Sequence, residues 1–333
     1  MVWNRSTLLQ LPNQRPWSLA KKTLFSFCLT YKISKFAEHV NLSISVMKKF
    51  FLFILNLLLL TACGNRTQTS YKPLIMVSIE PLRYFTEIIA GDKFKVESMV
   101  PEGSNPEFYD PTPQQIISLT KSKAFLRIGF IGFEQTWTDR LQKNSPDTPF
   151  FDLSENVDLI YEDNSSQQHH AHIHGIEPHI WSSTQNAYII ARNICNALCS
   201  IDQTNAGFYK KNLEILIETI RETDQIVRTY LQKAHHVFLI YHPALSYFAR
   251  DYGLTQLCIE KDGKEPSPAY LQKLIHLCEE KNVGVIFIQQ EFDTRNATLI
   301  AQELNIPSIQ INPLNYKWKD ELIHIAKSLT EKN

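Results

Sequence analysis

Three short proline-containing segments carry the side chains best suited to hold a metal ion: Asn105-Pro106-Glu107, Glu177-Pro178-His179 and Tyr241-His242-Pro243. Each follows an apolar run, where a strand is expected to give way to a helix. In open α/β sheets, ligands bind in the crevice outside the carboxyl ends of the strands. Proline stiffens the backbone beside each candidate, which suits a metal site, because its ligands must be deprotonated and held close to their preferred distances. Taken singly, a histidine after a strand is more often a cap or a hydrogen-bonded structural residue. The long spacings between the three segments match no local metal motif. A fourth feature, His169, His170, His172 and His174, lies in the polar stretch from Glu162 to Gly175.

The elements that must position these residues follow from hydropathy. Strands are expected over 74–78, 95–100, 124–128 and 150–153, with helices from Pro81 to Ile89 and from Pro113 to Lys121; Pro81 and Pro113 suit a first helical turn. A helix is expected from Thr184 to Leu198. From Asn205 to Lys233 the apolar positions Phe208, Leu213, Leu216, Ile220, Ile226, Val227 and Tyr230 recur near helical spacing. They hold no heptad register, so this reads as one long connector helix and not a coiled coil. The alternation then repeats, with strands over 237–241, 254–259, 283–288 and 308–311 and helices between and after them. Alternating strands and helices predict parallel, doubly wound sheets. The expected fold is α/β: two doubly wound lobes joined by one long helix, with a metal site between them.

The chain has 333 residues, 44% hydrophobic and 20% charged, with a formal net charge of zero. Length suggests about two domains, and the charge balance offers no basic field for nucleic acid. Met47-Lys48-Lys49 precedes the apolar run Phe50 to Leu60 and then Leu60-Thr61-Ala62-Cys63. That is the build of an export signal, too short to span a bilayer, which takes about 20 residues. The tetrapeptide resembles the lipobox of bacterial lipoproteins, which implies lipid on Cys63. The expected organisation is an upstream segment 1–46, either a mis-assigned start ahead of Met47 or a cytoplasmic extension, then a signal peptide 47–63 and a tether 64–72. An N-terminal lobe 73–204 with its histidine loop 162–175, a connecting helix 205–234 and a C-terminal lobe 235–333 complete it. Export permits disulfides, and Cys258 could pair with Cys278. Cys195 and Cys199, four apart in a helix, need only be small core residues.

The contexts of the three segments narrow the reading. Pro101-Glu102-Gly103-Ser104-Asn105-Pro106-Glu107-Phe108-Tyr109-Asp110-Pro111, then Glu177-Pro178-His179-Ile180-Trp181, then Tyr241-His242-Pro243-Ala244-Leu245-Ser246-Tyr247-Phe248 with Tyr252-Gly253-Leu254, resemble the metal-binding lipoproteins of bacterial zinc and manganese ABC importers. The resemblance covers about Leu74 to the C-terminus. It implies a monomeric binding protein, lipid-anchored in the periplasm or cell envelope, that clamps one metal between two lobes. It further implies a membrane permease with its ATPase as partner. His179 and His242 match family ligands. Glu107 stands where members usually carry histidine, and Asn312 where many carry a carboxylate. Glu107 can still ligate zinc at about 2.0–2.2 Å, whereas Asn312 is a poor ligand. The fourth position then goes to water or to a carboxylate such as Glu291 or Asp293. The histidine tract is similar to the accessory loop of the zinc-specific members.

The expected cargo is Zn2+, with Mn2+ or Fe2+ as the alternative, because two imidazoles favour zinc and oxygen-rich sites favour manganese. A secreted zinc hydrolase with Glu107 as general base is the enzyme alternative. It would need further ligands and an open position for a nucleophilic water. With reference pKa values of about 6.5 for histidine and 4.3 for glutamate, acid should weaken binding first through His179 and His242 and only later through Glu107.

Overall fold

Short runs such as Leu-Ile-Met-Val and Val-Phe-Leu-Ile, uninterrupted by charge, can only be satisfied by burial on both faces, which is the environment of a central parallel strand. Such strands organise the computed structural model, which describes residues 72–161, 175–260, 266–292 and 295–330 and a few short stretches between 32 and 54. The chain divides after Ser70; the unit from 71 to 333 holds both lobes. The first sheet contains β1 (Leu74–Val77), β2 (Lys95–Ser98), β3 (Phe125–Arg127) and β4 (Phe150–Asp152). The second contains β5 (Val237–Ile240), β6 (Thr255–Cys258), β7 (Ile286–Gln289) and β8 (Ser308–Ile311). The strand orders are β2-β1-β3-β4 and β6-β5-β7-β8, and every pairing is parallel. The two lobes therefore share one topology, as expected from the sequence.

The helices of the first lobe are α1 (Glu80–Ala90), α2 (Pro113–Thr120), α3 (Gly132–Asn144) and α4 (Thr184–Ile201). The connector is α5 (Ala206–Leu231), and α6 (Ser246–Tyr252), α7 (Pro268–Glu280), α8 (Arg295–Leu304) and α9 (Trp318–Ser328) belong to the second lobe. Helix α3 was not visible in the sequence pattern. Its segment is polar, and only Phe133, Glu134 and Leu141 are buried, so no apolar stripe announces it. The connector runs for 26 residues and buries Tyr209, Leu216, Ile220, Thr223, Val227 and Leu231, while Ile226 stays partly exposed at 37%. It packs against α1, α4 and α9. One continuous core includes Phe85 and Trp181 of the first lobe, Ile220 of the connector, and Phe248, Phe287 and Trp318 of the second. The lobes thus share buried side chains and are not merely tethered. Cys258 and Cys278 do not pair; both are free thiols. Cys258 donates to the Tyr241 carbonyl at 2.9 Å, while Cys278 is on the buried face of α7.

Candidate metal centre

Glu107 sits midway along the loop from β2 to α2, and that loop is fastened by side chains. Thr112 and Gln115 form a reciprocal capping box at the start of α2. Gln115 Nε2 donates to the Met99 carbonyl at 2.6 Å, and Tyr109 donates its hydroxyl to Gln115 Oε1 at 2.9 Å. The Glu107 amide donates to Asn105 Oδ1 at 2.9 Å, a local turn of the kind asparagine favours. Glu107 Oε2 accepts from the Gly132 amide at 3.1 Å, so the carboxylate meets the positive end of α3. A β-carbon on Gly132 would lie 2.3 Å from the Glu107 carbonyl oxygen, so only glycine lets the helix come this close.

His242 follows β5 directly, and parallel register dictates its neighbours. Ile240 pairs with Cys258 and with Phe287; two residues on, His242 faces Glu260 on one side and Gln289 on the other. Gln289 accepts from the His242 amide at 3.0 Å and donates to its carbonyl at 3.0 Å. His242 Nδ1 lies 2.8 Å from Glu260 Oε2, and Phe292 stacks on the ring with centroids 4.8 Å apart. His179 is placed differently. It precedes a 3-10 turn, Ile180–Ser182, and is reached from β4 by a long connection that includes the isolated antiparallel bridge Tyr161–Ile176. The expected place after a strand and before a helix thus holds for His242 and for Glu107, in the loop between β2 and α2, whereas His179 lies far from the end of β4. Glu177 Oε1 holds both the His179 amide, at 3.1 Å, and its Nδ1.

The three side chains converge between the lobes. One ligand atom from each lies within 4.8 Å of the other two, Glu107 Oε1 is 4.0 Å from His179 Nε2, and the imidazole centroids are 5.0 Å apart. All three are buried, at 8%, 3% and 5% exposure for Glu107, His179 and His242. With each Nδ1 facing a carboxylate, each Nε2 is left for the centre, the arrangement that orients metal-ligating histidines. Tetrahedral bonds of about 2.0–2.2 Å require ligand atoms about 3.3 Å apart, so closure on zinc needs shifts of under about 1 Å. The cavity at the centre holds about 20 Å³, space for one ion or one water.

Burial dominates the electrostatics. It pushes the Glu107 carboxyl up to about 7, helped by the nearby charges of Glu177 and Glu134 and opposed by His242 and the Gly132 amide. Glu107 therefore does not carry the reference value expected of it, because a desolvated carboxylate does not keep that value. Glu291 lines the same cavity. Its carboxyl is also raised by burial and by Glu321, against its own backbone amide and His242, and its Oε1 is buried with no hydrogen-bond partner among the described residues. Asn312 is committed elsewhere: its Oδ1 accepts from the Leu314 amide at 3.0 Å and its own amide donates to Glu321 at 2.7 Å. Asp293, the four tract histidines and Cys63 lie outside the described residues. Glu260 and Gln289 were not singled out from the sequence, since only strand register brings them to His242. Glu177, two positions from His179, was legible as a neighbour but not as its ring partner.

The family model described as "ZnuA: Zinc-uptake complex component A periplasmic" matches residues 75–330. The chain belongs to the ZnuA family. Among its relatives, the high-affinity zinc uptake system protein ZnuA of Bacillus subtilis (strain 168) is 28% identical over 282 residues, 79% of this chain and 87% of that protein. The manganese ABC transporter substrate-binding lipoprotein PsaA of Streptococcus mitis is 27% identical over 278 residues, 78% of this chain and 88% of that one. A crystal structure of ZnuA superposes with a TM-score of 0.72 at 31% identity, covering 78% of this chain and 98% of that chain. The ZnuA-family relatives are substrate-binding proteins of ABC importers, several of them named as lipoproteins.

Proposed function

We propose that the chain binds one divalent transition-metal ion, zinc in preference, between its lobes and hands it to a membrane permease driven by an ATPase. The observation that carries this is the convergence of Glu107, His179 and His242, with a carboxylate on the Nδ1 of each imidazole. The zinc-uptake family and the ZnuA relatives support zinc. Glu107 and Glu291 supply oxygen, and with relatives named for manganese they make Mn2+ the second cargo, with Fe2+ behind it. Glu291 is the fourth ligand by side-chain rotation, or else orders a water in that position. A central space fit for one ion argues against a hydrolase acting on an organic substrate.

In the same reading, Cys63 carries lipid and anchors a monomer at the cell envelope, and the tract His169–His174 gathers zinc weakly. Competition between the metal-free protein and a chromophoric chelator for Zn2+ and Mn2+ tests the central claim. His179→Ala and His242→Ala should each weaken zinc by more than the roughly 10–100-fold typical of outer partners. Wild-type affinity in either variant would overturn it.

A further inference from the structure

Between its two oxygens, Glu177 spans both lobes. Oε1 holds the Nδ1 of His179 in the first lobe. Oε2 accepts from the Ser246 hydroxyl at 3.0 Å, in the first turn of α6, and α6 follows His242 in the second lobe. The main chain repeats the link. The Glu177 carbonyl accepts from the Tyr247 hydroxyl at 2.8 Å, and that same hydroxyl accepts from the Ile160 amide at 3.1 Å. Tyr247 is fully buried. Each candidate imidazole is therefore tied to α6, His242 through the chain itself and His179 through Glu177.

We infer that Glu177 is a positioning residue that makes the hold on the metal depend on the closure of the lobes. This rests on the proposed metal site and adds a route for release. With the lobes closed, Ser246 fixes the carboxylate, the carboxylate fixes the His179 tautomer and ring, and Nε2 faces the ion. Separation of α6 from Ile160 and Glu177 breaks the Ser246 contact. Glu177 then loses its hold from the second lobe while keeping its contacts to the His179 amide and ring, so the ring of His179 is aimed less firmly. Ser246 touches no candidate ligand, yet its loss acts on one. The Ser246 hydroxyl also accepts from Gln256 Nε2 at 3.0 Å and has the Pro243 carbonyl at 3.1 Å as a second acceptor for its one proton, so its orientation is set from β6 and from its own loop.

A double-mutant cycle on the full chain tests this, with Zn2+ as the probe. Ser246→Ala leaves all candidate ligands in place and should raise the zinc off-rate by about 3–10-fold, and Glu177→Gln should weaken zinc by about 10–100-fold. The double variant should be no weaker than Glu177→Gln alone, because both changes break one relay. Hydrogen exchange at the Ile160 amide, whose acceptor is Tyr247, should be slowed by zinc in the wild type and less so in Ser246→Ala. Asp251→Asn, which loosens the contact between Asp251 of α6 and Ser183, is the control for a merely structural effect and should combine additively with Glu177→Gln. Additive Glu177→Gln and Ser246→Ala effects, or an unchanged off-rate in Ser246→Ala, would overturn the relay while leaving the metal site standing. Absence of tight zinc binding in the wild type would instead overturn the site.

Discussion

Replacing Glu107 with glutamine should stabilise the metal-free protein and disable its metal site at once. In the unfolded chain the carboxyl titrates near its ordinary 4.5, and in the fold burial lifts it to about 7. Between these values the folded protein binds more protons than the unfolded one, so stability falls as pH rises through that window. Below 4.5 both states are protonated and Glu107 costs nothing. Above 7 both are ionised and the full cost applies: a gap of about 2.5 units at about 1.4 kcal/mol each is on the order of 3 kcal/mol. Glutamine is nearly isosteric, stays neutral, and its side-chain oxygen can still accept from the Gly132 amide. Metal-free Glu107→Gln should therefore exceed wild type by under about 1 kcal/mol at pH 5 and by about 3 kcal/mol at pH 8. At about 2–4 °C per kcal/mol for a domain of this size, the pH 8 difference is a Tm gain of about 6–12 °C. Thermal and urea unfolding of chelator-treated proteins at pH 5, 6.5 and 8 would measure it. Buried carboxyls away from Glu107 cancel in the difference, while the repulsion from Glu177 and Glu134 is part of the cost measured. Zinc titrated at pH 6 in buffers of different ionisation enthalpy should release about one proton more from wild type than from the variant. If the two stability profiles run parallel from pH 5 to 8, Glu107 ionises as in water and its carboxyl is not desolvated as described.

Four further outcomes are expected. Glu107→His should keep the metal and shift competition toward zinc over manganese, because imidazole replaces a hard oxygen; Asn312→Ala, whose side chain caps a turn, should leave both affinities within about threefold by the same competition assay. Deleting 169–174 should leave one tight zinc site and remove only weaker binding in a calorimetric titration; loss of the tight site would overturn the accessory role. Cys63→Ser should move the protein from the membrane to the soluble fraction and abolish the lipid seen on the N-terminal peptide by mass spectrometry.

Much of this was legible along the chain because it is local. Uncharged apolar runs require burial on both faces, so the central strands β1 and β5 follow from hydropathy. Alternation with helices supplied the parallel arrangement and the half-buried edge strands such as β2, Lys-Val-Glu-Ser. The buried stripe of α5 repeats at helical spacing, and proline beside Glu107, His179 and His242 marked the three side chains that converge. Helix α3 stayed hidden because it buries too little to leave a stripe; its role is to offer an N-terminus, free of a β-carbon at Gly132, to Glu107. What only the tertiary structure decided depends on distance through space. Strand register, not sequence spacing, carried Glu260 and Gln289 to His242. Desolvation, which no reference pKa contains, moved Glu107 to about 7. The packing of α6 against the loop before His179 gave Glu177 a hydroxyl from the opposite lobe, because a carboxylate has two oxygens and only the fold determines what stands at the second.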